Sequence, residues 1–245
     1  MQPIYLFDVD GTLTPARQPM AESFERFFMD WSKGKLVYLI SGSDLQKIEQ
    51  QLPEEVMSRC AGVFSCMANR YYRDGELIYS NDFKPSHELL QDLEEITRES
   101  DYPVKVGRHV EVRPGMINFS IVGRNASKEQ RKSYAAYDNG ESEREKIVEK
   151  IGSKYPELEF AVGGEISIDI YPKGRDKAQA IDVLRLSHGA SPLIFMGDRT
   201  EYPGNDHGIV KELQKYENCQ WYQVDSWEDT QVNLARIEQK KTGNS

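Results

Sequence analysis

Cysteine is scarce: Cys60, Cys66 and Cys219 are all that the 245 residues hold. An odd, scattered trio supplies neither a disulfide framework nor a cysteine-rich zinc site, and it predicts a reducing, cytoplasmic setting. The four histidines, His87, His109, His188 and His207, show no HxxxH spacing. No apolar stretch approaches the roughly 20 residues a membrane span needs, so no membrane partner is expected. Positive charge is also in deficit. A formal net charge of −9 disfavours nucleic acid as a partner. The opening residues run straight into an apolar segment, which predicts no signal peptide. No internal repeat or low-complexity segment appears. What remains is a soluble globular composition, 38% hydrophobic and 29% charged, long enough for one large domain or two small ones.

The most informative residues present are Phe7-Asp8-Val9-Asp10-Gly11-Thr12-Leu13. Two carboxylates sit two apart at the end of the apolar run Ile4-Tyr5-Leu6-Phe7. If that run is a strand, both acids leave its carboxyl end, and Gly11 lets the backbone turn tightly. Acids this close repel unless a cation or a shared proton relieves them. A hard divalent cation with oxygen ligands, above all Mg²⁺, answers that need. The layout suits one carboxylate attacking phosphorus while its neighbour moves a proton. The plainer alternative is an acidic turn without chemistry.

Hydrophobic periodicity predicts an α/β opening: strands over 3–8 and 35–40, a helix over 21–32 carrying Phe24, Phe27, Phe28 and Trp31, and a helix over 43–52. A short strand over 63–67 and a hairpin through Asp74-Gly75 follow. After a helix over 86–99 the strands cluster: 109–113, 117–122, 159–162 and 166–171, interrupted by charged helices over 128–137 and 142–154. Strand–helix alternation resumes from Asp176. The expectation is a parallel-sheet core of residues 1–81 and 174–245, with an inserted α+β domain of residues 82–173 built on an antiparallel sheet.

Three further clusters carry chemistry. Ser41-Gly42-Ser43-Asp44 ends the second strand and opens a helix, where hydroxyls and free N–H groups make a phosphate seat or an ordinary N-cap. Gly197-Asp198 repeats the strand–acid pattern, and Asp198 can complete a metal site with Asp8 and Asp10. Asn205 and Asp206 follow and are possible ligand- or water-orienting groups, though turn chemistry explains them equally well. Lys177, at a helix start, makes sense if an anion sits there, and is otherwise an ordinary solvated surface lysine. In the inserted segment Arg113, Arg124 and Arg131 offer guanidinium forks for a second phosphate. Ser167 and Asp169 alternate with Ile166, Ile168 and Ile170, so one strand face is polar and suits sugar hydroxyls. A solvent-facing sheet with surface arginines is the competing reading. The Glu/Lys-rich stretch 141–154 reads as a solvated helix face.

Asp8-x-Asp10-Gly-Thr, the serine turn, Lys177 and Gly197-Asp198 resemble the four motifs of the haloacid dehalogenase superfamily of phosphotransferases. FDVDGTLTPAR (7–17), RPGMINFSIVGR (113–124), GGEISIDIYPKGRDK (163–177) and GDRTEYPGND (197–206) are similar to the eukaryotic-type phosphomannomutase family. The resemblance implies a Rossmann-like haloacid dehalogenase core with a substrate-specificity cap. It implies Asp8 as a nucleophile that becomes a phosphoaspartate and Asp10 as general acid/base. Mg²⁺ would be held by Asp8, the Asp10 carbonyl and Asp198. Lys177, Ser41 and Ser43 would hold the transferring phosphoryl group. Arg17, Arg113, Arg124, Arg131, Ser167 and Asp169 would bind the sugar phosphate. The implied activity is phosphohexomutase, interconverting mannose or glucose 6-phosphate and 1-phosphate, with a hexose 1,6-bisphosphate as activator and a homodimer formed through the cap. A Mg²⁺-dependent sugar-phosphate phosphatase on the same scaffold is the alternative, and a non-catalytic sensor would be expected to lose Asp8 or Asp10. Three stretches depart from the family: Ser41 replaces a usual Gly, Met67-Ala68-Asn69 stands where Glu-Asn-Gly is typical, and the residues after Asp206 are not family-like.

Overall fold

β1 (Ile4–Asp8) is buried along its whole length and apolar up to its last residue, Asp8, as suits a central parallel strand. In the computed structural model, which describes residues 2–243, its side chains alternate between two packed faces. Tyr5 and Phe7 pack with Phe24, Phe28 and Trp31 of α1 (Glu22–Trp31). Ile4 and Leu6 face the opposite cluster, which includes Ile181 and Leu184 of α7 (Gln179–His188) and Ile209 and Leu213 of α8 (His207–Leu213). The Tyr5 and Trp31 rings meet edge-on at 4.8 Å.

Among the described residues one sheet has seven strands in the order β11-β10-β1-β2-β3-β4-β5. β2 (Leu36–Ile40) and β10 (Leu193–Gly197) flank β1 in parallel, and β3 (Gly62–Ser65) and β11 (Gln220–Gln223) extend the parallel set outward. β4 (Arg70–Arg73) and β5 (Glu76–Ser80) add an antiparallel hairpin through Asp74 and Gly75, both with positive φ. α2 (Leu45–Gln51) is capped by Asp44, whose carboxylate accepts from Lys47 N. α9 (Trp227–Gly243) packs beside α1.

A second sheet, order β6-β7-β9-β8, is antiparallel throughout: β6 (Val110–Arg113), β7 (Met116–Phe119), β8 (Leu158–Gly163) and β9 (Ser167–Pro172). Helices α4 (His87–Glu99), α5 (Lys128–Glu141) and α6 (Glu143–Gly152) surround a separate apolar cluster including Leu93, Phe119, Tyr134 and Ile168. The first sheet with its helices is called the core below, and this second layer the cap. Cap and core meet along a seam. Val162 N donates to Pro203 O at 2.7 Å, and Asn205 N donates to Val162 O at 3.1 Å.

Four local expectations change. A short helix α3 (Glu54–Arg59) follows Pro53, too brief to show a period in the sequence. The third strand stops at Ser65 because Cys66, Met67 and Ala68 all take positive φ (51°, 59° and 61°). Left-handed backbone is costly for residues with a Cβ and persists only where the surroundings impose it. Here Cys66 N bonds Ser43 O and Met67 N bonds Ser41 O, so the turn braces the serine loop. The third change is in the stretch 141–154, which is not simply a solvated face. Arg144 is buried, pairs with Asp138 at 2.7 Å and donates to the carbonyls of Gly163, Gly164 and Ser167. Finally, the stretch from Gln239, whose polar sequence predicts a frayed tail, continues the last helix to Gly243.

Candidate active site

Asp8 is the last residue of β1, so it emerges at the carboxyl edge of the parallel strands, the usual binding edge of open α/β sheets. The chain then folds tightly, with Thr12, Leu13 and Thr14 N–H groups all directed at Val9 O. Gly11 makes this turn at φ +83°, and a Cβ there would stand 2.6 Å from Asp198 Oδ2. No other residue fits both the backbone and the space. Asp10 is fixed on both oxygens: Arg17 N donates to Oδ1 at 2.8 Å and Ser43 Oγ to Oδ2 at 3.3 Å. Ser41 Oγ accepts from Ser43 N at 2.9 Å, closing the serine turn at the end of β2.

Lys177 is fully buried, and its ammonium lies 2.6 Å from Asp8 Oδ1 and 2.7 Å from Asp206 Oδ1. Asp206 is also buried and receives Arg199 N on its other oxygen at 3.1 Å. Its carboxylate pairs with Lys177 and does not cap α8, so it joins the buried charge cluster around Asp8. Oxygens of Asp8, Asp198 and Asp206 lie within 4.8 Å of one another. Burial pushes the Asp8 carboxyl well up, against the pull of Lys177, with Asp206 and Asp198 adding to the rise. Burial and Asp206 push Asp198 up to about 7. Burial alone would lower Lys177, but Asp206 and Asp8 outweigh it and keep it charged. Three acids with one ammonium leave an excess of negative charge among oxygen donors. That donor set fits a hard divalent cation. The Asp10 side chain stands apart from this trio, held by Arg17 N and Ser43.

Across the cleft the cap presents a polar face. Asn118 on β7 and Asp169 on β9 are register partners, and Asn118 Nδ2 donates to Asp169 Oδ1 at 2.7 Å. Asn205 Nδ2 from the core donates to the other Asp169 oxygen at 3.0 Å. A Cβ on Gly163 would come within 2.5 Å of that same oxygen, so this approach requires glycine. Arg113 and Arg131 are buried, and the Arg124 side chain is only 5% exposed, which removes the surface-arginine reading. Arg124 bonds Ser167 Oγ at 2.9 Å, and Arg131 Nε lies 3.7 Å from Glu165. Among the described residues Arg124 Nη2 and Arg131 Nη1 are buried with no hydrogen-bond partner. Arg17 is drawn down to about 10 by burial and by the nearby Arg131 and Arg113. Buried, mutually repelling guanidinium groups with free donors form a ready anion seat.

Asp8, Asp10, Arg17, Ser41, Ser43 and Asp198 wall one side of a single cavity of about 40 Å³, and Arg113, Arg124, Arg131, Ser167 and Asp169 the other. Asn205 also lines it, while Lys177 stands behind Asp8 and Asp206 behind Lys177. That volume holds on the order of one to three waters, less than a hexose phosphate needs. Sequence reasoning missed Asn118, Glu111, Lys47 and Arg144. Asn118 had a signal, since it shares the strand-face parity of a polar face. The others sit among ordinary surface-type charges.

The parallel strand order, the acids at the carboxyl edge and the inserted second sheet define a haloacid dehalogenase-type phosphotransferase fold. Solved structures agree on the fold. A sugar phosphatase of haloacid dehalogenase subclass IIB matches with TM-score 0.59 and 12% identity over 97% of this chain and 99% of its own. A trehalose-6-phosphate phosphatase related protein matches at 0.54 and 17%, over 99% and 100%. The chain belongs to the eukaryotic phosphomannomutase family, whose model matches residues 24–240. A phosphomannomutase of Dendrobium officinale is 37% identical over 235 residues, 93% of this chain and 90% of the relative. One of Saccharomyces cerevisiae is 33% identical over 242 residues, 96% and 93%.

Proposed function

We propose that the protein is a cytoplasmic, Mg²⁺-dependent phosphohexomutase that interconverts mannose, and also glucose, 1-phosphate and 6-phosphate. The observation that carries this reading is a single cavity with phosphoryl-transfer acids on one wall and unpartnered buried arginine donors on the other. Asp8 attacks a phosphoryl group of a hexose 1,6-bisphosphate. A bond forms from Asp8 Oδ to phosphorus, the phosphorus–sugar oxygen bond breaks, and Asp10 gives its proton to the departing oxygen. A mannose 1-phosphate then presents its free 6-hydroxyl. Asp10 takes that proton as the hydroxyl attacks the phosphoaspartate, and Asp8 is released. The bisphosphate so formed turns round to give its 1-phosphoryl group to Asp8 in the next cycle, leaving mannose 6-phosphate. Lys177, Ser41 and Ser43 hold the transferring phosphoryl oxygens, while Arg17, Arg113, Arg124 and Arg131 grip the distal phosphate. Ser167 and Asp169 meet sugar hydroxyls. Mg²⁺ held by Asp8, Asp198 and the Asp10 carbonyl, with Asp206 beside them, would supply neutralisation of phosphoryl charge.

The segment 82–173 acts as a moving cap in this reading. A cavity of about 40 Å³ must open to admit a hexose phosphate, then close to keep water from the phosphoaspartate. The active form is a homodimer through the cap. Phosphorus NMR of mannose 1-phosphate with Mg²⁺ and a hexose bisphosphate tests the reading. Accumulation of 6-phosphate supports it. Accumulation of free phosphate instead assigns the chain to the sugar-phosphate phosphatases.

A further inference from the structure

Glu111 stands behind the arginine grip rather than in it. It lies on β6, two residues before Arg113, outside the cavity wall formed by the described residues. Its Oε2 accepts from Arg113 Nη2 at 2.9 Å and from Arg124 Nε at 3.0 Å. Its Oε1 accepts from Lys47 Nζ at 2.5 Å. One carboxylate therefore holds three cations, and the third comes from the core. Lys47 sits on α2, just past the serine turn, where its ammonium also meets Asp44 at 2.9 Å. Arg113 reaches the same turn directly, donating from Nη1 to Gly42 O at 2.6 Å. Pairing from behind uses one nitrogen of each guanidinium and leaves Arg124 Nη2 and Arg113 Nε unpartnered among the described residues. Burial works to raise the Glu111 pKa, but Arg113 and Lys47 overcome it and hold the group down to about 2, so it stays charged.

We infer that Glu111 is a positioning residue that ties Arg113 and Arg124 to the core's phosphate turn through Lys47, so that gripping the distal phosphate and seating the cap are one event. This rests on the phosphohexomutase reading. Without a phosphate in place, the carboxylate offsets repulsion between two buried guanidinium groups and fixes their planes. With a phosphate in place, the same carboxylate transmits the arginines' position to Lys47 and the serine turn. A sugar phosphate held off-axis by the cap would then leave the cap ajar and let water reach the phosphoaspartate.

Two substitutions separate the halves of this statement. Glu111→Gln keeps the shape and removes the charge that orders both arginines. It should raise the KM for mannose 1-phosphate about tenfold and increase the share of phosphoryl groups lost as free phosphate several-fold. Lys47→Met leaves both arginine pairs and the Arg113 bond to Gly42 O intact and cuts the tie between Glu111 and the core, along with the Asp44 pair. It should increase the free-phosphate share while KM stays within about threefold of the parent. A residue serving stability alone would move the unfolding midpoint and leave that partition unchanged. Folded Lys47→Met with the parent's partition overturns the inference, and so does folded Glu111→Gln with the parent's KM. If Glu111→Gln does not fold, the Lys47→Met partition decides alone. Calorimetric titration of mannose 1-phosphate runs alongside. A parent that only hydrolyses the sugar phosphate sinks the mutase reading, while about tenfold weaker binding by Glu111→Gln still supports its positioning role.

Discussion

Replacing Arg124 by alanine removes one guanidinium with three distinct environments. Nε meets Glu111 at 3.0 Å, Nη1 meets Ser167 Oγ at 2.9 Å, and Nη2 is buried and free. The fold should tolerate the loss, because Glu111 keeps Arg113 and Lys47 and Ser167 Oγ keeps Asn118. What disappears, on the proposed function, is a charge-assisted contact to the distal phosphate, worth about 1.5–3 kcal/mol. At about 1.4 kcal/mol per decade, KM should rise between roughly tenfold and a little over a hundredfold. The contact serves ground state and transition state alike, so kcat should stay within about threefold. Initial rates against mannose 1-phosphate, at saturating bisphosphate and with the circular dichroism spectrum unchanged, measure this. A KM within about twofold of the parent would refute the placement of the distal phosphate on Arg124.

Gly11→Ala should abolish turnover and cost about 1–3 kcal/mol in urea unfolding, since its Cβ meets Asp198 Oδ2 and its φ is +83°. Asp198→Asn should weaken Mg²⁺ binding in calorimetry, and chelation should stop turnover in the parent until Mg²⁺ is restored. Glu111 is held at about 2, below its ordinary value of 4.5, so its pairing stabilises the fold fully above that ordinary value. This contribution should drain away as pH falls from about 4.5 through about 2, and Glu111→Gln should flatten that part of the acid unfolding curve.

The legible parts of this protein are those where one residue type serves one purpose. An apolar run ending in Asp-x-Asp-Gly leaves little choice beyond a buried strand with acids at its mouth, and β1 has that form. The polar and apolar alternation of β9 likewise placed Ser167 and Asp169 on one face. Charges with two possible fates were not legible. Arg144 sits in a helix indistinguishable by composition from a solvated one, and only the αL turn at Ser142 brings it onto Asp138 and the carbonyls beyond β8. Glu111 and Lys47 are far apart in sequence and acquire meaning only when cap meets core. Asp206 stays ambiguous in the sequence, between an orienting group and turn chemistry, because its partner Lys177 lies 29 positions away. The left-handed run Cys66-Met67-Ala68 has no glycine to announce it and is imposed by its bonds to the serine turn.

The proposed mechanism requires Asp8 to carry the phosphoryl group and hand it back to a sugar. Rapid quenching after mixing with a radiolabelled hexose 1,6-bisphosphate, followed by peptide mapping, tests this most directly. The label should appear on the peptide containing Asp8 and be absent from Asp8→Asn. On addition of unlabelled mannose 1-phosphate it should pass to a sugar bisphosphate. Label on another residue, or label released only as inorganic phosphate, would contradict the account.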